Sequence, residues 1–311
     1  MPEENKDNWI AGFWKRIGAL FIDTLIVGIF GYGLGLVFEN QFVELAGWGR
    51  IVGFVIAITY FGIMNSKITC GQTIGKKLLN IQVVNSESRP IEVVTSFFRY
   101  AILGIPFFLN GAQFTTDAIT SFWLYPLSFV IIGGFLSIIY LYIFNRVTRQ
   151  SLHDLIVGTY VVNKGVEKNL PGVVWRPHLI VVGVLFTVAA VTPAITSTMA
   201  KSEPFKNLFV VQSEITKNPS VAYASVFDGQ STFTTKGGTS KTTTYINVQA
   251  FINKNTVENA ELAKELAKII TSTHSEAVEK EVIRVTLSYG YDIGIASKWK
   301  NHVYNFNPKE L

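Results

Sequence analysis

The chain has 311 residues, of which 49% are hydrophobic and only 16% charged, with a net charge of +5. A soluble domain carries about 25% charged residues, so this composition excludes a disordered, charge-rich chain and argues against a wholly soluble protein. The charge is unevenly spread: residues 1–199 hold 14 of the 27 Lys/Arg and 11 of the 22 Asp/Glu, about 13% of that segment, against about 21% for residues 200–311. The first part has the composition of membrane protein and the second that of an ordinary soluble domain. Neither is basic enough for a nucleic-acid footprint. The single cysteine, Cys70, excludes an intrachain disulfide and a multi-cysteine metal site.

The N-terminus opens with Pro2, Glu3, Glu4 and Asp7, and its first apolar run is long and contains an aspartate. That is not the pattern of a cleaved signal peptide, so the run is expected to stay as a span. Five apolar runs approach the roughly 20 residues that cross a bilayer. They are about Ile17–Phe38, Ile51–Asn65, Phe97–Gly111, Phe122–Phe144 and Leu179–Met199. The second and third are short, and the third contains Pro106. Lys6, Lys15 and Arg16 precede the first run; Lys67, Lys76, Lys77, Arg89 and Arg99 lie between or beside the second and third. Arg146, Arg149, Lys164, Lys168 and Arg176 lie between the fourth and fifth. The intervening loops hold Glu39, Glu44 and Asp117, with Arg50 at a border. By the positive-inside rule the N-terminus is cytoplasmic, and five crossings leave residues 200–311 outside a cell or inner membrane.

Asp23 stands six residues into the first run. An intramembrane carboxylate must be paired, protonated or facing water, which makes it a candidate ion or proton site and equally a candidate bundle salt bridge. Arg16, nearly two turns earlier, points along the same helix face. Asn145, Arg146, Arg149, His153 and Asp154 gather at the end of the fourth run, where His153 is able to titrate near neutrality. GQTIGKK at 71–77 imitates a phosphate loop but has three residues between its glycines and no Ser/Thr after the lysine. Gly31 and Gly35 form a small-xxx-small pair suited to the close approach of another helix. The four histidines are scattered, and no metal, cofactor or enzymatic constellation emerges.

Apolar alternation at 79–84, the turn-like NSESRP and the apolar residues after it suggest a short hairpin, to which Thr159–Asn163 adds a strand that brings Arg16 near Asp154. In residues 200–311, Val221–Phe227 and Thr242–Asn253 read as strands flanking a KGGTS turn at 236–240. Asn255 and Glu258 suggest a helix start, and Leu262, Leu266, Ile269 and Ile270 lay an apolar stripe to about Thr273. Val282–Ser288 and Asp292–Lys298 read as strands around Tyr289-Gly290-Tyr291. The aromatics Tyr245, Phe251, Tyr289, Tyr291, Trp299 and Tyr304 suit strand packing or a binding face.

Three blocks, GFWKRIGALFID at 12–23, GQTIGKKLLNIQVV at 71–84 and RQSLHDLIVGTYVV at 149–162, together resemble the RDD family of membrane proteins. The resemblance covers about residues 9–163 and places the signature positions at Arg16, Asp23 and Asp154. It implies a small helical bundle, in some cases oligomeric, and a transport role, with monovalent cation/proton antiport attributed to some members.

The resulting expectation is an α-helical membrane bundle of about five transmembrane helices plus a C-terminal soluble α+β domain. Residues 1–163 form the RDD-like bundle with a cytoplasmic loop, 164–199 a linker and fifth helix, and 200–311 the extracytoplasmic domain. One functional expectation is transport of a small monovalent cation or proton, with Asp23 as ion site, Arg16 as its charge partner, and Asp154 and His153 in gating. The other is a membrane-anchored binding or assembly protein whose outer domain docks a protein partner. Neither is an enzyme.

Overall fold

The computed structural model describes residues 9–111, 121–169, 172–203, 205–234, 238 and 240–311. Helix α1 (Phe13–Val37) buries Arg16, Ala19, Asp23, Val27, Gly31 and Gly35. These recur every three to four residues, so one stripe of the helix faces inward. Its other faces present large apolar side chains to the outside, Ile29 at 72% and Phe21 at 63% exposure among them. Helices α2 (Glu39–Leu45) and α3 (Gly49–Met64) follow, joined by a 3-10 turn. A short helix α4 (Ile74–Leu78) and strand β1 (Ile81–Asn85) lead into α5 (Val93–Leu109).

Helix α6 (Leu124–Phe144) widens into a π-helical stretch over Phe129–Gly134, where Gly133 lies against the Phe186 ring. Helix α7 (Leu152–Val157), strand β2 (Thr159–Asn163) and the long helix α8 (Arg176–Ala200) complete this part.

Four helical stretches, Phe13–Val37, Glu39–Met64, Leu124–Phe144 and Arg176–Ala200, are long and apolar enough to cross a membrane. The third apolar run forms α5, which has only 17 residues and contains Pro106; it nevertheless reaches from Arg99, beside Asp154, to Phe108, whose carbonyl accepts from Arg50 at the other end of the bundle. The expected hairpin after residue 79 does not form. Strand β1 pairs antiparallel with β2 instead, Val83 opposite Val161, and the chain after the turn enters α5. The reason lies in burial: Ile81 and Val83 close over Ala11, Ala19 and Val161, an apolar seat the local hairpin lacks.

The C-terminal part begins with a helix absent from the sequence expectation, α9 (Phe205–Thr216). Strands β3 (Val221–Thr234), β4 (Ser240–Ile252), β5 (Val282–Asp292) and β6 (Ser297–Phe306) form one sheet in the order β3-β4-β5-β6. The β4–β5 pair is parallel, crossed over by α10 (Ala260–Thr273), and the other pairs are antiparallel. Asn259, not Asn255, caps α10 by accepting from the Leu262 amide. The helix lays Leu262, Leu266 and Ile270 on Ile246, Val248, Ile283 and Val285. Lys236, Gly237 and Thr239 of the expected KGGTS turn lie outside the described residues.

Tyr289-Gly290-Tyr291 is not a turn. It continues β5, and the reversal falls at residues 293–296, so the last strand starts later than the sequence suggests. The β5–β6 turn meets the bundle. Tyr291 packs on Phe42, and Ile293 and Ile295 reach helices α1 and α3. Arg50 pairs with Asp292 at 2.9 Å and also donates to the Phe108 carbonyl at 3.2 Å, while Lys298 pairs with Glu39 at 2.6 Å. Gly31 and Gly35 thus admit not another helix but Ile295 and the Tyr291 ring.

The close approach has a testable consequence. A methyl group at Gly53 would stand 1.7 Å from the Ile293 carbonyl oxygen, whereas one at Gly33 would meet nothing within 4 Å. Gly53→Ala is expected to destabilise the protein by about 1–3 kcal/mol, and Gly33→Ala to leave it unchanged or stabilise it by about 1 kcal/mol. Melting of the two detergent-solubilised variants against the parent checks both.

Candidate functional site

The site grows from the RQSLHD segment. Arg149 adopts a positive φ of 52° and turns its carbonyl toward α1, where it accepts from Arg16 Nη1. Ser151 then starts α7 in a capping box, its own amide donating to Asp154 Oδ2 at 3.3 Å. Gly158, at φ 67°, ends α7 after two turns and sends the chain into β2. The carboxylate of Asp154 is thereby fixed in the space between α1, α5 and β2.

Two arginines converge on it. Arg16 Nη2 lies 2.9 Å from Oδ2, and Arg99 Nη2 and Nε lie 2.6 and 2.9 Å from Oδ1. The Thr159 hydroxyl donates to Oδ1 at 3.1 Å. Arg16 also lies 4.7 Å over the Tyr142 ring. Asp154 is fully buried, and both arginines are nearly so. Burial alone would raise the Asp154 carboxyl, but the guanidiniums beside it, Arg99 foremost, hold it well below the usual carboxylate range. His153 Nε2 is 3.5 Å from Asp154 Oδ2. Burial, reinforced by Arg99 and Arg16, pushes its imidazole down to about 3, so it is neutral at physiological pH.

Asp23 belongs to a second cradle. The Tyr60 hydroxyl donates to Oδ1 at 2.8 Å, the Gly75 amide donates to the same oxygen at 2.8 Å, and the Thr73 hydroxyl donates to Oδ2. Thr73 is also the N-cap of α4, accepting from the Lys76 amide at 3.2 Å. Gly75 is required for the approach, since a Cβ there would stand 2.2 Å from the Ala19 carbonyl oxygen. The segment that imitates a phosphate loop therefore wraps a carboxylate of its own chain. The expected Arg16–Asp23 partnership does not occur: both residues lie on the inward stripe of α1, but Arg16 is taken by Asp154.

Of the residues expected from sequence, Arg16, His153 and Asp154 come together, and Asp23 has its own set of donors. Arg99, Tyr60, Thr73, Thr159 and Lys76 were not expected here. The signal for Arg99 was present, because it stands inside the apolar stretch SFFRYAILG, yet it counts equally well as an orienting loop charge. Among the described residues, no group of three or more His, Cys, Asp or Glu is placed to hold a metal ion.

Removing one member of the Asp154 set strands buried charge. Asp154→Asn or Arg99→Leu is expected to cost about 3–5 kcal/mol, read as a large loss of melting temperature or of folded yield. Protonation supplies a second test. The unfolded His153 binds a proton below about pH 6.5, and the folded one only near 3. Unfolding thus takes up a proton in that window, and stability falls as pH falls, by about 1.4 kcal/mol per pH unit. His153→Gln is expected to flatten the pH dependence of melting between pH 6.5 and 4 relative to the parent.

The comparisons with known proteins follow the same boundary. The RDD family model matches residues 10–158. The chain is 27% identical over 124 residues to the uncharacterized protein YxaI of Bacillus subtilis (strain 168), covering 32% of this chain and 82% of that one. It is 26% identical over 151 residues to the uncharacterized protein YckC of the same organism, covering 49% and 83%. No solved structure matches. The Arg16–Asp154–Arg99 pairs and the Asp23 cradle fall inside the matched segment, Thr159 and the β3–β6 sheet fall beyond it, and over residues 10–158 the chain is similar to the RDD family.

Proposed function

We propose that the protein is a membrane-anchored binding or assembly protein, in which the RDD bundle is a rigid platform and the C-terminal domain docks a partner on the extracytoplasmic side. The observation that carries this reading is the attachment of the domain to the bundle. The Ile293–Ile295 turn is seated against Gly31 and Gly53, and the pairs Arg50–Asp292 and Lys298–Glu39 flank it. A domain on a loose tether needs no such seat. The sheet face opposite α10 carries Tyr245, Phe251 and Trp299, with Trp299 40% exposed, and faces away from the helices that fill the core. Tyr289 and Tyr291, by contrast, are buried.

The other reading is transport of a monovalent cation or proton through Asp23. In its favour, Asp23 is an intramembrane carboxylate surrounded by the oxygens of Tyr60 and Thr73, the kind of set a dehydrated cation uses. Against it, Tyr60, Thr73 and Gly75 already donate hydrogen bonds to the Asp23 carboxylate.

Flux decides between them. Proteoliposomes carrying the full chain are expected to show no Na⁺-, K⁺- or Li⁺-driven proton movement. Flux in the parent that Asp23→Asn abolishes would overturn the docking reading in favour of transport. Orientation has its own test, because Cys70 is the sole cysteine, is exposed, and lies at the Arg16–Asp154 end. In intact cells a membrane-impermeant maleimide is expected to leave Cys70 unlabelled and to label a cysteine placed by Thr232→Cys in a Cys70→Ser background. The reverse pattern would place the C-terminal domain in the cytoplasm.

A further inference from the structure

Between the two aspartate knots the bundle holds a cavity of about 320 Å³. Its apolar walls come from α1, α3, α5 and α6. Leu20, Ile139 and Ile143 at its edge are 40%, 40% and 46% exposed, on the surface that meets lipid. Its charged lining is cationic: Arg16, Lys76 and Arg99 reach it, and no acidic residue among the described ones does. Asp154 is shared by two arginines, and Asp23 is turned to Tyr60, Thr73 and Gly75, so positive charge is left over.

Lys76 is the unspent group. Its ammonium has no ion pair or hydrogen bond among the described residues, although it lies among Asp23, Arg16, Arg99 and Asp154. Two further lining residues each hold a polar atom without a partner among the described residues. His153 is 4% exposed and Asn65 2% exposed, and their Nδ1 and Oδ1 atoms are buried and unsatisfied. His153 turns Nε2 toward the Asp154 carboxylate, which favours the hydrogen on that nitrogen and leaves Nδ1 as an acceptor. Asn65 Nδ2 donates to the Phe61 carbonyl, so Oδ1 is likewise an acceptor. Among the described residues the cavity thus offers one free cation and two free acceptors behind an apolar mouth. Its occupant needs a negative charge, hydroxyl hydrogens to donate, and an apolar tail that remains in the bilayer.

We propose that this cavity binds the phosphoglycerol headgroup of an anionic membrane lipid, with Lys76 on the phosphate and Asn65 and His153 accepting from the glycerol hydroxyls. The volume, about ten waters' worth, suits a headgroup rather than a diacyl lipid, so the acyl chains pass out between Leu20 and Ile143 into the membrane. Basic pockets between transmembrane helices are recognised sites for anionic headgroups. The state of Lys76 agrees with this placement. Burial, with Arg99 next, pushes its ammonium down to about 7, and a phosphate beside it restores the proton. The site stands whichever of the two functional readings above holds.

The test uses the full chain in phosphatidylcholine nanodiscs, with phosphatidylglycerol titrated in and both melting and bound lipid, by native mass spectrometry, recorded. The expected result is a saturable rise in melting temperature and one retained phosphatidylglycerol per chain. Lys76→Gln should weaken retention at least tenfold, and Lys76→Arg should preserve it. Arg146→Gln, which removes a neighbouring surface cation outside the cavity, should leave retention unchanged. Equal retention of phosphatidylethanolamine, no retained lipid, or an Arg146→Gln loss as large as that of Lys76→Gln would each overturn the proposal. A shift reproduced by soluble glycerol 3-phosphate alone would overturn the bilayer as the source. Should Lys76→Gln fail to fold, the parent decides through its preference between the two lipids and soluble glycerol 3-phosphate.

Discussion

The bundle is organised around one carboxylate that three separate segments must satisfy. Asp154 sits fully buried at the start of a two-turn helix, and bringing it there would be prohibitive without compensation. Arg16 from the first long helix and Arg99 from the fifth supply it, with Thr159 from the adjacent strand. Sequence separations of 138 and 55 residues are closed by these contacts. An ion pair of this kind adds little net stability over an apolar substitute, but it is exacting in geometry, because any arrangement that separates the partners leaves a bare charge in a low-dielectric interior. The knot therefore selects one arrangement of α1, α5 and α7 more than it strengthens it.

The second knot works through backbone and hydroxyl groups rather than charge. Asp23 receives an amide and two hydroxyls, and the helix that brings two of these donors is only five residues long. Such a helix has little stability of its own. Its position is held by Gly75, whose missing side chain lets it press against the Ala19 carbonyl, and by Thr73, which caps it and donates to Asp23 with the same hydroxyl. The short helix and the carboxylate are mutually dependent, and Lys76, next to Gly75, is carried to the cavity edge as a consequence.

The membrane character, the three signature blocks and the strand at Thr159–Asn163 are legible in the residues, because composition and local spacing carry them. What is not legible is pairing. Arg16 and Asp23 share a helix face, so nothing in their spacing reveals that Arg16 belongs to a residue 138 positions away. Strand β1 has apolar residues on both sides of a turn, and a hairpin is the local answer; the antiparallel seat against β2 wins because it buries Ile81 and Val83 completely. Tyr289-Gly290-Tyr291 has the composition of a turn, yet both tyrosines are buried at the junction with α2, where Tyr291 meets Phe42. Each of these differences is a tertiary contact overriding a correct local preference.

The glycines of α1 show how the two parts of the chain are joined. In an isolated membrane helix, Gly31 and Gly35 are ordinary small residues suited to helix packing. Here they form a shallow groove filled by Ile295 and Tyr291 from a domain that lies beyond the RDD segment. Arg50 completes the junction by holding the Asp292 carboxylate and the Phe108 carbonyl together. The end of the bundle opposite the Asp154 knot is therefore shaped to the C-terminal domain, which seats its turn on α1 and α3, the same helices that carry Asp23 and Tyr60 toward the other end.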